Sequence, residues 1–175
     1  MSVVVEALDA PRYRATIDGL AALLVDAVER GAGVNFMAGV TTAETRSWWL
    51  ARADQVADGM IVPIVALEAG GGRVVGSVLL IYSATPNSPH RGEIGKVLVH
   101  SSARRRGLGR ELMLAAESRA RADGRWLLIL DTVTGSDADR FYRSLGWNEV
   151  GEVPDFALMP DGTLTSTTYF WKSLR

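Results

Sequence analysis

A strand–loop–helix unit between Glu93 and Asp123 constrains the fold of this 175-residue chain more than any other stretch. Its first part, Glu93 to His100, contains Ile94 and the run Val97-Leu98-Val99, which predicts a buried strand. After a short loop, apolar residues recur at helical spacing up to Asp123-Gly124, and they are Leu108, Leu112, Met113, Ala115, Ala116 and Ala120. The unit is therefore predicted to be a strand, a basic loop containing glycine, and a helix.

The loop between this strand and helix has the chemistry of a phosphate site. A helix start leaves backbone N–H groups without partners and carries a partial positive charge. Gly107 and Gly109 have no Cβ, so a bulky anion can approach the backbone closely. Guanidinium groups suit phosphate geometry, and the loop supplies Arg104, Arg105, Arg106 and Arg110.

Other interpretations of the loop are weaker. No Gly-Lys-Ser/Thr follows it, which argues against a P-loop, and it is not GxGxxG, which argues against a dinucleotide-binding turn. The loop is alternatively a solvated basic helix start that binds nothing. However, the helix dipole favours acidic residues at that position, so the arginines indicate an anionic ligand.

Composition limits the remaining possibilities. The length predicts a single domain over residues 1–175, and a net charge of −1 gives no general attraction to nucleic acid or membrane. Cysteine is absent, and His90 and His100 are not spaced as a helical metal pair, so we expect no metal. No apolar run approaches the roughly 20 residues that cross a bilayer, and no signal peptide is evident. The expected location is cytoplasmic.

The order of elements predicts a mixed α/β (α+β) sheet with helices on its faces. Predicted strands are Ser2–Leu8, Ile61–Glu68, Arg73–Tyr82, Glu93–His100, Trp126–Asp131, Trp147–Phe156 and Thr163–Trp171. Predicted helices run from Pro11 to Gly31, from Thr41 to about Asp58, from Leu108 to Asp123 and from Asp137 to Leu145. Residues 69–72, which include Gly71, predict a hairpin turn.

The pattern Arg104-x-x-Gly107-x-Gly109, between this strand and helix, resembles the signature of the GNAT superfamily of acyl-CoA-dependent N-acetyltransferases. The segment from Asp139 to Trp147, with Ala138 before it, resembles a second GNAT segment that carries a tyrosine. C-terminal features, from Asp131-Thr132 to the segment 169–172, are similar to the tabtoxin-resistance type. The resemblance implies a GNAT fold: a mostly antiparallel, seven-stranded mixed sheet whose central parallel strands splay apart.

The resemblance also implies a binding mode for acetyl-CoA. The backbones of Val97, Leu98 and Val99 would pair with its pantetheine arm in place of a neighbouring strand. The loop would hold its pyrophosphate, with a cofactor-binding set of Arg104, Arg105, Arg106, Gly107, Leu108, Gly109 and Arg110. No metal takes part.

The same resemblance suggests the catalytic groups. Tyr142 would be the general acid that faces the CoA sulfur, although it is alternatively a core tyrosine. Two carboxylates compete as general base, and Asp131 ranks above Glu93 because the tabtoxin-resistance type pairs that aspartate with the tyrosine. Either carboxylate is alternatively structural. Solvent can also take the proton, and His100 is a weaker candidate.

The acceptor side has no recognisable signature. Phe36 and Trp48 are predicted to bind the acceptor as part of a wall between the first two helices, with ordinary core packing as the alternative. The expected acceptor is the primary amine of a small molecule such as an amino acid, antibiotic or toxin, and Asp131 would contact it. Alternatives are a peptide or protein amine, or a CoA-binding module without turnover. Nucleic acid is disfavoured, and either a monomer or a homodimer is compatible with the sequence.

Overall fold

A computed structural model describes residues 2–70 and 72–175. Its strands are β1 (Val3–Ala7), β2 (Ile61–Glu68), β3 (Val74–Tyr82), β4 (Arg91–Val99), β5 (Leu127–Val133), β6 (Asn148–Leu158) and β7 (Leu164–Ser173). Its α-helices are α1 (Ala10–Glu29), α2 (Thr42–Leu50), α3 (Ala53–Ala57), α4 (Leu108–Ala122) and α5 (Asp137–Ser144), and a short 3₁₀ helix covers Ser101–Ala103. The predicted element order is confirmed, apart from one additional helix.

The strands form one seven-stranded sheet in the order β1-β2-β3-β4-β5-β7-β6. Among the pairs that the described residues form, only β4–β5 is parallel, and the other five are antiparallel. The predicted mixed, mostly antiparallel sheet is therefore confirmed. The hairpin expected at residues 69–72 joins β2 to β3, with the Gly72 N–H donating to the Glu68 carbonyl at 3.0 Å, whereas Gly71 lies outside the described residues.

Helices cover both faces of the sheet because the strands are apolar on both sides. On one face α4 contributes Leu112, Met113 and Ala116 to a core that also contains Tyr142 and Phe170. On the other face, α1, α2 and α3 pack against β2 and β3, and the buried side chains there include Leu20, Leu24, Trp49, Val56 and Val65. This double-sided burial fixes the sheet between two helical layers.

The helix predicted from Thr41 to about Asp58 is wrong in one respect, because the chain breaks it in two at Ala51 and Arg52. The predicted capping box at its start is present, with Thr41 and Glu44 bonded reciprocally. The break turns the chain so that Trp49, in α2, and Val56, in α3, both reach the core. The Arg52 side chain caps the freed end of α2 by donating from Nη1 to the Trp48 carbonyl at 2.6 Å.

The two parallel strands at the centre of the sheet part soon after they meet. Their ladder covers Arg91–Glu93 opposite Leu127–Ile129 and then stops. Beyond it, β4 stays with β3 as far as Val99, and β5 stays with β7 as far as Val133. The predicted splay is therefore confirmed, and it opens a cleft between the halves of the sheet.

Candidate functional site

A cleft of about 920 Å³ occupies the gap between the parted strands. Its walls come from the outer part of β4, the start of α4, the end of β5, the start of α5 and the β6–β7 hairpin. The loop after α1 and the end of α2 border it on the remaining side. The gap in the sheet therefore brings together segments that lie far apart in the sequence.

The edge of β4 that faces the cleft offers unpaired backbone groups. From Ile94 onward, within the described chain, β4 has no ladder partner on the β5 side. The strand also carries a bulge, because Gly95 pairs with Leu79 and Leu98 with Ser77, which leaves Lys96 and Val97 opposite one residue. Val97, Leu98 and Val99 all line the cleft, so backbone donors and acceptors are available along its floor.

The first turn of α4 lacks the cap that the other long helices have. Asp9, Thr41 and Ser136 cap α1, α2 and α5 with their side chains, whereas α4 begins at Gly107 without a side-chain acceptor. In the part of the chain that the structure describes, the N–H groups of Gly107, Leu108 and Gly109 have no hydrogen-bond partner. These donors and the positive end of the helix dipole therefore face the cleft together.

The backbone before α4 is shaped by residues in left-handed conformation. Gly107 has φ +80°, and the Cβ of any other residue there would project into open space. Arg105, with φ +63°, shares this conformation, which non-glycine residues seldom adopt. A Cβ on Gly109 would instead lie 3.4 Å from Phe141 Cζ, an ordinary van der Waals distance, so Phe141 of α5 lies next to the start of α4.

Three of the four predicted arginines line the cleft, and these are Arg104, Arg105 and Arg110. The Arg104 Nε donates to the Val99 carbonyl at 3.1 Å, which holds this side chain along the end of β4. Arg106 lies outside the cleft, contrary to its predicted place in the phosphate site. Arg73, by its hydrogen bond, lowers the pKa of Glu68, and Arg106 adds a smaller lowering, which places Arg106 on the Glu68 side of the loop.

Tyr142 projects from α5 into the cleft through a layer of aromatic side chains. The residue is 94% buried by the ring contacts it makes with Phe141, Trp147 and Phe170. Burial raises the pKa of Tyr142, and the nearby Asp131 carboxylate raises it further. The hydroxyl is therefore protonated at neutral pH, and within the described residues it has no hydrogen-bond partner of its own.

The two candidate carboxylates both face the cleft. Asp131 lies at the end of β5 and is exposed to the cleft. The single hydroxyl proton of Thr167 can be donated to Asp131 Oδ2, at 2.7 Å, or to the Thr132 carbonyl, at 2.9 Å. Glu93 lies at the point where the strands part. Partial burial raises the pKa of Glu93, and the charge of Asp131 adds to that effect.

This cleft agrees with what comparison of the sequence shows. The profile of the acetyltransferase (GNAT) family matches residues 26–147, which is more than half of the chain. The chain belongs to the GNAT acetyltransferase family. Its enzyme class is therefore that of an acetyltransferase, and the acetyl donor of this class is acetyl-CoA.

Solved structures with the same fold extend over nearly all of this GNAT chain. A ribosomal-protein-alanine N-acetyltransferase from Brucella melitensis is 25% identical with a TM-score of 0.77, and the match covers 97% of this chain and 99% of that one. A proposed acetyltransferase from Salmonella typhimurium, solved with acetyl-CoA, is 21% identical with a TM-score of 0.76, covering 100% and 95%. A proposed phosphinothricin N-acetyltransferase is 16% identical with a TM-score of 0.79, covering 99% of each chain.

The acceptor side of this GNAT cleft differs from the sequence-based expectation. Trp48 lines the cleft as predicted, but Phe36 lies behind it and makes an edge contact with its ring at a centroid distance of 6.1 Å. Sequence reasoning missed Arg52 and Lys96, which border the same region. The available signal for Lys96 was a lysine directly before the apolar run Val97-Leu98-Val99, whereas Arg52 stood in what looked like a continuous helix.

Two further observations concern metal sites and membrane-spanning helices. Within residues 2–70 and 72–175, no three His, Asp or Glu side chains are grouped so that they could hold a metal ion. That GNAT catalysis here needs no metal stays a prediction. Across the same described ranges, no helix combines the length and the apolar character that a membrane span requires.

Proposed function

We propose that this protein transfers the acetyl group of acetyl-CoA directly to the primary amine of a small molecule, with both substrates bound in the cleft at once. The observation that carries the proposal is the parting of β4 from β5 beside an uncapped helix start. Unpaired strand groups and free helix N–H donors are the partners that an extended amide arm and a diphosphate require. We also propose that residues 1–175 act as one domain, in the cytoplasm, as a monomer or homodimer.

The residues of the chain fit the coenzyme at two places. The N–H groups of Gly107, Leu108 and Gly109 would bind its diphosphate, with Arg104, Arg105 and Arg110 adding positive charge. The backbone of 97–99 would bind its pantetheine arm. Arg106 is left out of this set because it lies outside the cleft. Held in this way, the coenzyme supplies a thioester, whose carbonyl carbon is the electrophile.

Tyr142 is the proposed general acid. The acceptor nitrogen forms a bond to the carbonyl carbon while the carbon–sulfur bond breaks, and the departing sulfur takes a proton from the tyrosine hydroxyl. That hydroxyl is protonated, reaches the cleft and has no competing partner among the described side chains. An unpaired backbone N–H of the β4 edge would stabilise the negative charge on the carbonyl oxygen.

Asp131 is the proposed general base, with Glu93 as the second candidate. The amine must lose a proton, and both carboxylates lie on the acceptor side of the cleft. Asp131 is oriented by Thr167, whereas the raised pKa of Glu93 makes it a stronger proton acceptor near neutral pH. A chain of waters that carries the proton to solvent is the third possibility.

The acceptor is proposed to be a small amine of the amino-acid, antibiotic or toxin type, as the resemblance to the tabtoxin-resistance type suggests. The likeness to a proposed phosphinothricin N-acetyltransferase supports this choice. The likeness to a ribosomal-protein-alanine N-acetyltransferase favours a protein N-terminus as the second candidate. We leave Phe36 out of the acceptor wall and keep Trp48.

Release of free CoA thiol from acetyl-CoA, followed with DTNB, tests the proposal. A panel should contain amino acids, aminoglycosides, polyamines, phosphinothricin and a peptide that begins with alanine. Amine-dependent release that Tyr142→Phe abolishes would support the proposal. Tight binding of acetyl-CoA without release for any amine would contradict it, because the protein would then be a CoA-binding module.

A further inference from the structure

Two positive side chains on the acceptor side of the cleft form no ion pair with any described residue. Arg52 lies between α2 and α3, and Lys96 lies at the bulge of β4. None of the ion pairs found among the described residues involves either of them. Both line the cleft near Trp48, on the side that also carries Glu93 and Asp131.

Lys96 is directed into the cleft by an unusual backbone. Its φ of +50° lies in the left-handed region, and the Ser77 hydroxyl holds its carbonyl at 2.9 Å. Its Nζ lies 4.8 Å from the centre of the Trp48 ring and makes no hydrogen bond to any described residue. Burial lowers the pKa of Lys96 to about 8, and Arg52 contributes to this, whereas the charges of Asp131 and Glu93 offset the lowering only in part.

Arg52 lies against the same ring. Its Cζ lies 3.2 Å from the centre of Trp48, and its Nη1 donates to the Trp48 carbonyl. A guanidinium group has five N–H donors, and within the described chain the other donors have no partner. Burial also lowers the pKa of Arg52, as expected for a cation in a partly dry site.

These two cations lie apart from the arginines proposed for the diphosphate. Arg104, Arg105 and Arg110 belong to the α4 end of the cleft, whereas Arg52 and Lys96 both lie against the Trp48 ring. A half-buried cation without a partner is costly unless a ligand neutralises it. An anion on the acceptor would supply that partner.

We propose that Arg52 and Lys96 form a subsite for a carboxylate of the acceptor, so that this enzyme acetylates amines that also carry an acid group. The inference rests on the proposed function and narrows its substrate class. An amino-acid-like zwitterion fits the charges on both sides: its acid group meets Arg52 and Lys96, and its amine meets Glu93 and Asp131. A planar guanidinium and an adjacent ammonium suit a carboxylate well.

Matched acceptors test this subsite by turnover. One arm contains L-amino acids, the second contains the corresponding L-amino acid amides, and the third contains dipeptides with a free carboxyl terminus. We expect the carboxylates to have a kcat/KM at least about tenfold above the amides, the usual scale of a charge-assisted contact. The third arm distinguishes a single amino acid from a peptide as the source of the carboxylate, and either source supports the subsite.

Two substitutions then assign the preference to these side chains. Arg52→Met and Lys96→Met should each remove most of the preference for carboxylates while leaving acetyl-CoA affinity unchanged, and Arg52→Lys should retain part of it. Arg46→Met is the matched control, because Arg46 lies in α2 but donates to Asp18 at 2.7 Å. A melting temperature for each variant establishes that it folds.

NMR supplies a readout that does not depend on turnover. The chain has two lysines, Lys96 and Lys172, so lysine labelled with ¹³C at Cε gives two signals. In the presence of CoA, amino acids should raise the pKa of Lys96 from about 8, whereas the signal of Lys172, which is bonded to Glu117 at 2.8 Å, should not move. Amides should move neither signal.

Opposite results would overturn the subsite. The first is that amides react as well as the acids. The second is that the preference for carboxylates persists in both methionine variants. The third is that no carboxylate moves the Lys96 signal. The failure of the proposed function looks different. Wild-type protein that binds no acetyl-CoA would overturn that function, and this inference with it.

Discussion

The start of α4 and the end of α2 both border the cleft, and they differ in whether their backbone groups have hydrogen-bond partners. The start of α4 presents N–H donors that no described residue accepts from. The end of α2 has its carbonyls occupied, since Arg52 donates to Trp48 and Tyr13 donates to Trp49 at 2.7 Å. The start of α4 can therefore donate hydrogen bonds to a ligand. The end of α2 can contact a ligand only through its side chains.

This difference indicates that the two helix ends would bind different ligands. In the proposed function, the α4 end binds the coenzyme through its backbone, so we expect this ligand to be determined by the fold. The α2 end presents Trp48 and Arg52, and Lys96 lies near the same ring. Since side chains can change without altering the fold, we propose that this end determines the identity of the acceptor.

Gly107→Val should give the largest effect, because it damages the open end on which every later step depends. A β-branched residue at φ +80° is strained, and its side chain would occupy the space in front of the free N–H groups. We expect acetyl-CoA affinity, measured by calorimetry, to fall by about a hundredfold or more.

Gly124→Val is the matched control for backbone strain, because Gly124 has φ +74° at the opposite end of α4 with nothing near its Cβ position. Both variants should lose about 1–3 kcal/mol of unfolding free energy. Only Gly107→Val should lose the coenzyme. Equal affinity in both variants would show that the diphosphate binds elsewhere.

Tyr142→Phe should lower kcat by about a hundredfold, the scale of a lost general acid. The KM for acetyl-CoA should change little, because the hydroxyl acts on the sulfur only as that atom departs. Steady-state kinetics measure both parameters. The same kcat in wild type and variant would reject Tyr142 as the acid and leave it as a core residue.

The two carboxylates can be ranked by isosteric amides. Asp131→Asn should lower kcat by about a hundredfold, at the lower end of general-base effects, and Glu93→Gln by less than about tenfold. The pH dependence of kcat should lose its acidic limb only in the variant that removes the base. If the order is reversed, Glu93 is the base and its raised pKa is the reason.

A titration of Lys96 should distinguish the acceptor end from the coenzyme end. The charged groups that face Lys96 are Arg52, Glu93 and Asp131, and burial leaves its pKa at about 8. The cation is therefore present below pH 8 and is lost above it. The ratio of kcat/KM for an amino acid to that for its amide, divided by the same ratio in Lys96→Met, should fall about tenfold from pH 7 to 9.

Division by the ratio of the variant is needed because the amine of an amino acid has a higher pKa than the amine of its amide, and this difference is the same for both proteins. Acetyl-CoA affinity should be the same at both pH values in wild type and variant. A divided ratio that stays constant from pH 7 to 9 would mean that Lys96 does not contact the acid group.

Thr167→Val should have the smallest effect. It removes the hydroxyl that lies against Asp131 and the Thr132 carbonyl, so we expect about 1 kcal/mol of stability to be lost and kcat to fall about threefold. Thr167→Ser should restore both. A loss of stability in the valine variant, with an unshifted pH profile of kcat, would limit Thr167 to a structural role.

The contrast between the two ends also explains what the sequence could predict. The coenzyme side was accessible because 93–110 is one continuous stretch, in which strand periodicity, the two glycines and the arginines occur together. The pattern could not show that Arg106 lies away from the cleft, since the direction of a loop side chain depends on a local backbone that includes the left-handed Arg105.

The acceptor side was less predictable because its parts meet only after folding. Lys96 depends on a bulge in the β3–β4 register, and Arg52 depends on a helix break that lets Trp49 and Val56 both reach the core. Phe36 is apolar and lies in a loop, like many residues that bind ligands, yet it packs behind Trp48. Periodicity reports which face is buried, not which neighbour a side chain meets.

A crystal structure of the protein with acetyl-CoA tests the central claim most directly. We predict that the diphosphate lies within hydrogen-bonding distance of the Gly107, Leu108 and Gly109 N–H groups, with the pantetheine arm beside residues 97–99. A diphosphate bound away from the start of α4, or strands β4 and β5 paired along their whole length, would contradict the account.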